Sequence, residues 1–197
     1  MALRLPWCTG GYAVPHSPPD LDAATYATAM DMPDNGAELE LYLLRHAHAG
    51  DAAKWTGPDS ERPLSPKGRR QAARLGAFLA ERGFAPDAII TSPKLRARQT
   101  AELFADAIGI AVSVDDRLGG PLDFNDIGAI AERAGGNSIV LVGHDPDFSE
   151  LCAALTGTEY LPMKKGTLVR IDMALPVQPN GGVLRWLLPP ELIAERG

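Results

Sequence analysis

The sequence predicts an α/β fold in three layers, with helices on both faces of a mostly parallel central sheet that carries an antiparallel edge. Three observations predict it. From Glu38 onward, short apolar runs alternate with amphipathic stretches of roughly 10–15 residues, the rhythm of strand-helix units joined by right-handed crossovers. The runs ending at Leu44 and Gly143 are continuously apolar rather than alternating, as in strands covered on both faces. The last two strand-like runs lie on either side of Pro179-Asn180-Gly181-Gly182, a turn that folds them into a hairpin. A chain of 197 residues, 45% hydrophobic and 22% charged, fits one globular domain.

The elements follow in order. Glu38 to Leu44 begins with strand alternation and ends in an apolar run. Ser65-Pro66 supplies a cap and first residue for a helix whose Ala72, Leu75, Gly76 and Leu79 share one stripe and which ends near Gly83. Ala88 to Thr91 is a second strand, and Ser92-Pro93 opens a helix with Ala97, Ala101, Phe104 and Ile108 on one face. Ala111 to Val114 is a third strand. After a loop rich in Asp and Gly, Ile127, Ile130, Ala131 and Ala134 mark a third amphipathic helix. Ser138 to Gly143 is the most strand-like run in the chain. Phe148, Leu151, Cys152 and Leu155 line the helix after it, which makes Cys152 a core residue. Thr167 to Met173 and Val183 to Leu188 close the chain as the hairpin.

Residues 1–36 read differently. Pro6, Pro15, Pro18, Pro19 and Pro33 with Gly10, Gly11 and Gly36 interrupt every period, so this stretch is expected to be an arm preceding a domain at 37–197. Ala23 to Met30 can form one short helix capped by Asp20 or Asp22.

A formal charge of −6 gives no global basic field, so nucleic acid and anionic membrane are not expected partners, and a small anionic substrate needs a local basic pocket. Two cysteines, Cys8 and Cys152, make no disulfide framework, and the four histidines have no zinc-site spacing. Without an apolar run of membrane-spanning length or a secretory signal, the expected place is the cytoplasm.

In such sheets ligands bind beyond the carboxyl ends of the strands. The first strand ends in Arg45-His46-Ala47-His48 and the fourth in Gly143-His144-Asp145-Pro146. The second delivers Arg96 in the first turn of a helix, where free N–H groups favour an anion. Two guanidiniums and two imidazoles at one rim suit a phosphoryl group, since guanidinium forks pair with phosphate oxygens and imidazole can attack phosphorus.

Leu44-Arg45-His46-Ala47, the Arg62-Pro63-Leu64-Ser65 stretch leading to Gly68, the run Ser92 to Thr100, and Val142-Gly143-His144-Asp145-Pro146 resemble the four ordered signatures of the histidine phosphatase (phosphoglycerate-mutase-like) superfamily. The resemblance covers about residues 38–173, and the stretch Asp59 to Leu64 is most similar to the small SixA-like phosphohistidine phosphatase branch. It implies a phosphoglycerate-mutase-like fold and a metal-independent phosphatase without a cofactor. By the same resemblance His46 is the nucleophile, Arg45, Arg96 and His144 hold the phosphoryl group, and Arg62 and Asp59 are substrate-binding residues. The implied partner is a phosphohistidine protein or a small phosphorylated metabolite; the oligomeric state is left open. A small sugar or nucleotide phosphate is the alternative substrate, and a catalytically silent phosphate-binding module the less favoured reading.

Two departures from the family pattern follow. The usual Gly-His-Asn-Pro reads Gly-His-Asp-Pro, and Asp145 is read chiefly as a cap for the following helix, the other option being a change of charge near the pocket. No clear general acid is present: Asp59, Asp115, Asp116 and Asp123 are candidates of equal standing. A phosphohistidine leaving group can do without one, because its imidazole takes a proton from solvent. His16 and His48 are read as structural or surface residues, His48 on the assumption that a continuing strand turns it from His46. Lys164-Lys165 is read chiefly as a solvated pair, the other option being added positive charge at the mouth, and Trp55 as a packing residue or loop anchor at the entrance.

Overall fold

The computed structural model describes residues 38–193. The expected arm, the short helix within it, His16 and Cys8 lie outside the described residues.

Six strands form one sheet in the order β3-β2-β4-β1-β5-β6. They are β1 (Glu38–Arg45), β2 (Ala88–Thr91), β3 (Val112–Val114), β4 (Ser138–Gly143), β5 (Leu168–Ala174) and β6 (Gly182–Leu188). The first four run parallel, with Leu43 of β1 opposite Leu141 of β4 and Ile90 of β2 opposite the same residue. β5 lies antiparallel to β1 and β6 antiparallel to β5, with a bulge at Arg170/Ile171. The mixed sheet is the mostly parallel one that the sequence predicts, its antiparallel part supplied by the terminal hairpin.

Four helices cover it: α1 (Pro66–Ala80), α2 (Leu95–Ile108), α3 (Phe124–Ala134) and α4 (Asp147–Thr156). Strand alternation divides the core. Leu39, Leu41 and Leu43 pack with Ile127 and Ile130 of α3 and Phe148, Leu151 and Cys152 of α4. Tyr42 and Leu44 point the other way, onto Leu75 and Leu79 of α1 and Ala97, Ala101 and Phe104 of α2. Two helices thus bury each face. Cys152 is fully buried, and burial pushes its thiol up to about 12, so it is a core residue.

Helix starts follow side-chain caps at α1 and α3 but not at α2 and α4. Ser65 accepts from the Gly68 N–H and Pro66 takes the first position of α1, as expected. The second helix does not start at Ser92-Pro93: it starts at Leu95 with Lys94 at the cap position. Ser92, just beyond β2, stays tied to the sheet, its N–H donating to Val142 O at 2.9 Å, while its hydroxyl meets His144 Nε2. The third strand is one residue shorter than expected at its start and lies at the exposed edge, with Val114 45% exposed.

Two glycines bring the rim together. A Cβ at Gly68 would lie 2.0 Å from His48 O, so the chain after β1 rests directly on the start of α1. Gly166, at φ +85°, donates to both Arg45 O and His46 O and ties the turn before β5 to the end of β1.

Candidate active site

β1 stops at Arg45, but His46 stays tethered to the neighbouring strand through its N–H to Gly143 O at 2.9 Å. Its side chain is 6% exposed. Nδ1 lies 2.8 Å from Ala47 O, an acceptor only, so Nδ1 carries the proton and Nε2 the lone pair. The Arg96 Nε–H donates to that Nε2 at 3.3 Å. Burial, then the charges of Arg96, Arg45 and Lys165, hold the His46 pKa down to about 3, against the pull of the Ala47 carbonyl. His46 is therefore a neutral imidazole with a fixed tautomer throughout the neutral pH range.

His144 follows β4 and is equally buried, its ring centroid 5.2 Å from that of His46. Its Nε2 meets Ser92 Oγ at 2.8 Å, while its buried Nδ1 has no hydrogen-bond partner among the described residues. Burial, with His46 and Arg96 next, brings its pKa to about 3.

Arginines surround the two rings. Arg96, the second residue of α2, pairs with Asp59 Oδ2 at 3.0 Å and donates to Asp59 O at 2.7 Å. Arg62 Nε reaches the other carboxylate oxygen at 2.9 Å, and its Nη1 donates to Ala49 O. Asp59 thus bridges two guanidiniums, and the hydrogen bond from Arg62, ahead of the charges of Arg96 and Arg62, holds its carboxyl below the usual carboxylate range. Arg45 pairs with Asp145 at 2.9 Å and donates Nη1 to Met163 O, while its buried Nε has no partner among the described residues.

The residues singled out in the sequence separate clearly. Arg45, His46, Arg96 and His144 come together, with Arg62 and Asp59 joined to them through the Arg62–Asp59–Arg96 bridge. The chief reading of Asp145 is corrected: Pro146 occupies the cap position of α4 without a side-chain bond, and Asp145 turns to the ion pair with Arg45 and accepts from Ser149 Oγ. None of the four aspartates is placed as an acid. Asp59 is held ionised; Asp115 is bound by Arg117 at 2.7 Å and Arg133 at 3.1 Å; Asp123 caps α3; Asp116 sits in the turn that Asp115 caps. His48 is indeed structural, but for another reason. The strand has already ended, residues two apart on a strand share a face in any case, and the ring is engaged by Ser65 Oγ at 2.7 Å.

One contributor escaped the sequence reading, and two readings it left open are resolved. Ser92 reads in the sequence as the opening of a helix, not as the partner of His144. The lysine pair divides: Lys164 meets Glu191 at 3.1 Å, whereas Lys165 faces the site, its pKa lowered by burial and then by Arg45, Arg62 and Arg96. Trp55 donates its indole N–H to Pro58 O and lines a cleft of about 230 Å³ with Arg62, Lys54 and Leu64, which fits a loop anchor beside the entrance.

The arrangement can hold an oxyanion among guanidiniums and present a neutral imidazole nitrogen to its central atom. Among the described residues no cluster of three or more His, Cys, Asp or Glu is placed to hold a metal ion, and no helix is long and apolar enough to cross a membrane.

Comparison with known proteins bears on the family and the fold. The family model described as histidine phosphatase superfamily (branch 1) matches residues 41–119. An uncharacterized protein of Picosynechococcus sp. is 37% identical over 139 residues, covering 66% of this chain and 83% of that one. A protein of Klebsiella pneumoniae named probable phosphoglycerate mutase GpmB is 35% identical, but the match spans only 55% of this chain and 52% of that one. Phosphohistidine phosphatase SixA of Escherichia coli is 26% identical over 77% of this chain and 94% of its own length. Among solved structures, one from Agrobacterium tumefaciens assigned as a phosphohistidine phosphatase SixA superposes with a TM-score of 0.63 at 27% identity, covering 77% of this chain and 98% of that one. The protein histidine phosphatase SixA complexed with tungstate gives 0.67 at 24% identity over 79% and 100% of the two chains, a likeness of fold.

Proposed function

Because the chain belongs to the histidine phosphatase superfamily and is a phosphatase-type hydrolase of its SixA-like branch, we propose that it hydrolyses phosphohistidine through a phosphoenzyme intermediate on His46. One observation carries this reading: a buried, neutral His46 whose Nδ1–H is fixed on Ala47 O and whose Nε2 lone pair lies under Arg96 and beside His144.

In the first step His46 Nε2 attacks phosphorus and the substrate's P–N bond breaks. The departing imidazole takes its proton from solvent. Arg45, Arg96 and His144 hold the phosphoryl oxygens as their charge spreads, the interaction that supplies most of the catalysis in phosphoryl transfer. Arg62 contacts the outer side of the phosphoryl group or the substrate, and Asp59 holds Arg62 and Arg96 at their spacing. Water then attacks phospho-His46, the new P–N bond breaks, and Nε2 recovers its lone pair as inorganic phosphate forms.

The aspartates support a nitrogen leaving group over an alkoxide. An alkoxide needs a proton donor placed beside it, and Asp59, the carboxyl bridged to Arg62 and Arg96, is held as a carboxylate. The near full-length match to the Escherichia coli phosphohistidine phosphatase points the same way. A small phosphate ester is the second reading, favoured by the higher identity to the mutase-named relative.

Turnover of a phosphohistidine protein, an aryl phosphate and a sugar phosphate, measured side by side, decides between them. The expected result is a kcat/KM for phosphohistidine above that for the sugar phosphate by at least about tenfold, or 1.4 kcal/mol. A preference for the sugar phosphate would move the assignment to the ester.

A further inference from the structure

Arg45 is held in a closed ring of contacts that none of the proposed catalytic roles uses. Its Nη1 pairs with Asp145 Oδ2 at 2.9 Å and also donates to Met163 O. Asp145 Oδ1 accepts from Ser149 Oγ at 2.9 Å, and the same hydroxyl accepts from the Met163 N–H at 3.1 Å, which closes the ring. Ser149 and Met163 are buried, at 4% and 2% exposure, so the ring rests on the core. One edge of the guanidinium is therefore spent on protein. The buried Nε on another edge is without a partner among the described residues, as is His144 Nδ1.

The ring also sets charge. Three cations act on His46, namely Arg96, Arg45 and Lys165, and two of them carry a carboxylate: Asp59 on Arg96 and Asp145 on Arg45. A bare guanidinium at Arg45 would hold the substrate phosphoryl and the product phosphate equally well. Binding both equally does not accelerate the chemical step, and tighter product binding slows release.

Resting on the phosphatase reading above, we propose that Asp145 is a positioning residue with two effects: it aims Arg45 Nε at the phosphoryl group by holding Nη1, and it weakens the grip on inorganic phosphate so that product leaves. The Asp in Gly143-His144-Asp145-Pro146 is thus part of the site's electrostatics rather than of the helix cap.

The two effects separate in three variants. Asp145→Asn keeps the shape and removes the charge; Asp145→Ala removes both; Ser149→Ala keeps the charge and loosens the hold. Phosphate binding is read by calorimetric titration with inorganic phosphate, and turnover with an aryl phosphate, after a thermal melt shows each variant folded. Asp145→Asn should bind phosphate about three- to tenfold more tightly, a range set by one partly exposed charge, with stronger product inhibition and a lower kcat. Ser149→Ala should lower kcat without tightening phosphate, whereas Asp145→Ala, which loses the same charge, should tighten phosphate and lower kcat further than Asp145→Asn. Equal phosphate affinity in wild type and Asp145→Asn would overturn the charge role, and an unchanged kcat in Ser149→Ala would overturn the positioning role. Either result leaves wild-type turnover of the aryl phosphate in place, whereas failure of the phosphatase reading appears as its absence.

Discussion

The two ends of β1 carry the same kinds of side chain and use them oppositely. Near its start, Arg170 lies between Glu40 at 2.7 Å and Asp172 at 2.7 Å, and Arg185 takes the other Asp172 oxygen at 2.7 Å. Tyr42 completes the patch through its hydroxyl to Glu40, its pKa raised to about 12 by burial first. The hydrogen bond that Arg170 donates to Asp172 leads in raising the pKa of Arg170. At the far end, Arg96 and Arg45 also meet carboxylates, but burial is the leading effect on Arg96 and lowers its pKa. There the buried Arg45 Nε and His144 Nδ1 remain without partners among the described residues, and two imidazoles stay neutral. An arginine cluster by itself does not mark a site. A buried donor left over after the ion pairs are made, next to a neutral imidazole, does.

Breaking each end should give different losses. Arg96→Ala or His144→Ala should lower kcat by about 10²–10³-fold, the usual loss for one oxyanion-holding donor, read in aryl phosphate turnover. Arg170→Met should leave kcat unchanged and cost at most about 1 kcal/mol, since its ion pairs are partly exposed, as a denaturant midpoint shows. Equal kinetic effects from the two ends would erase the distinction.

Acid should weaken the rim in a defined window. His46 and His144 have folded pKa values near 3, below the unfolded value of 6.5, so between these limits the unfolded chain binds more protons. Their contribution is complete above pH 6.5 and is lost as pH falls toward 3. The urea midpoint should drop through that window, and a His46→Gln, His144→Gln double variant should flatten the drop. An unchanged slope would place the acid sensitivity elsewhere. The smallest effect is expected from removing residues 1–33: if 1–36 is an arm separate from the domain at 37–197, aryl phosphate hydrolysis should stay within about twofold, well under the tenfold that 1.4 kcal/mol represents. Loss of activity in a folded truncation would show that the arm shapes the site.

Much of this was legible in the sequence because it rests on local pattern. The period of the apolar residues placed four helices and six strands, and strand ends placed Arg45, His46 and His144 at one rim, since a parallel sheet brings its carboxyl ends together. What could not be read was partner choice between distant segments. Asp145 could cap α4 or pair with Arg45, and only the packing of Met163 and Ser149 against both decides it. Ser92 reads as the opening of a helix, but it precedes α2, and His144, 52 positions away, meets its hydroxyl. Lys165 and Lys164 are neighbours in sequence, and the turn at Gly166 sends them to different surroundings.

The central claim is that His46 is the nucleophile, and a single-turnover trap tests it most directly. Wild type, His46→Ala and His144→Ala are mixed with a phosphohistidine protein, quenched separately in acid and in base, and analysed for protein-bound phosphate. The expected result is a base-stable, acid-labile phosphoryl adduct on His46 in wild type, slower to form in His144→Ala and absent from His46→Ala. An adduct that persists in His46→Ala, or turnover by wild type with no adduct at any time, would contradict the account.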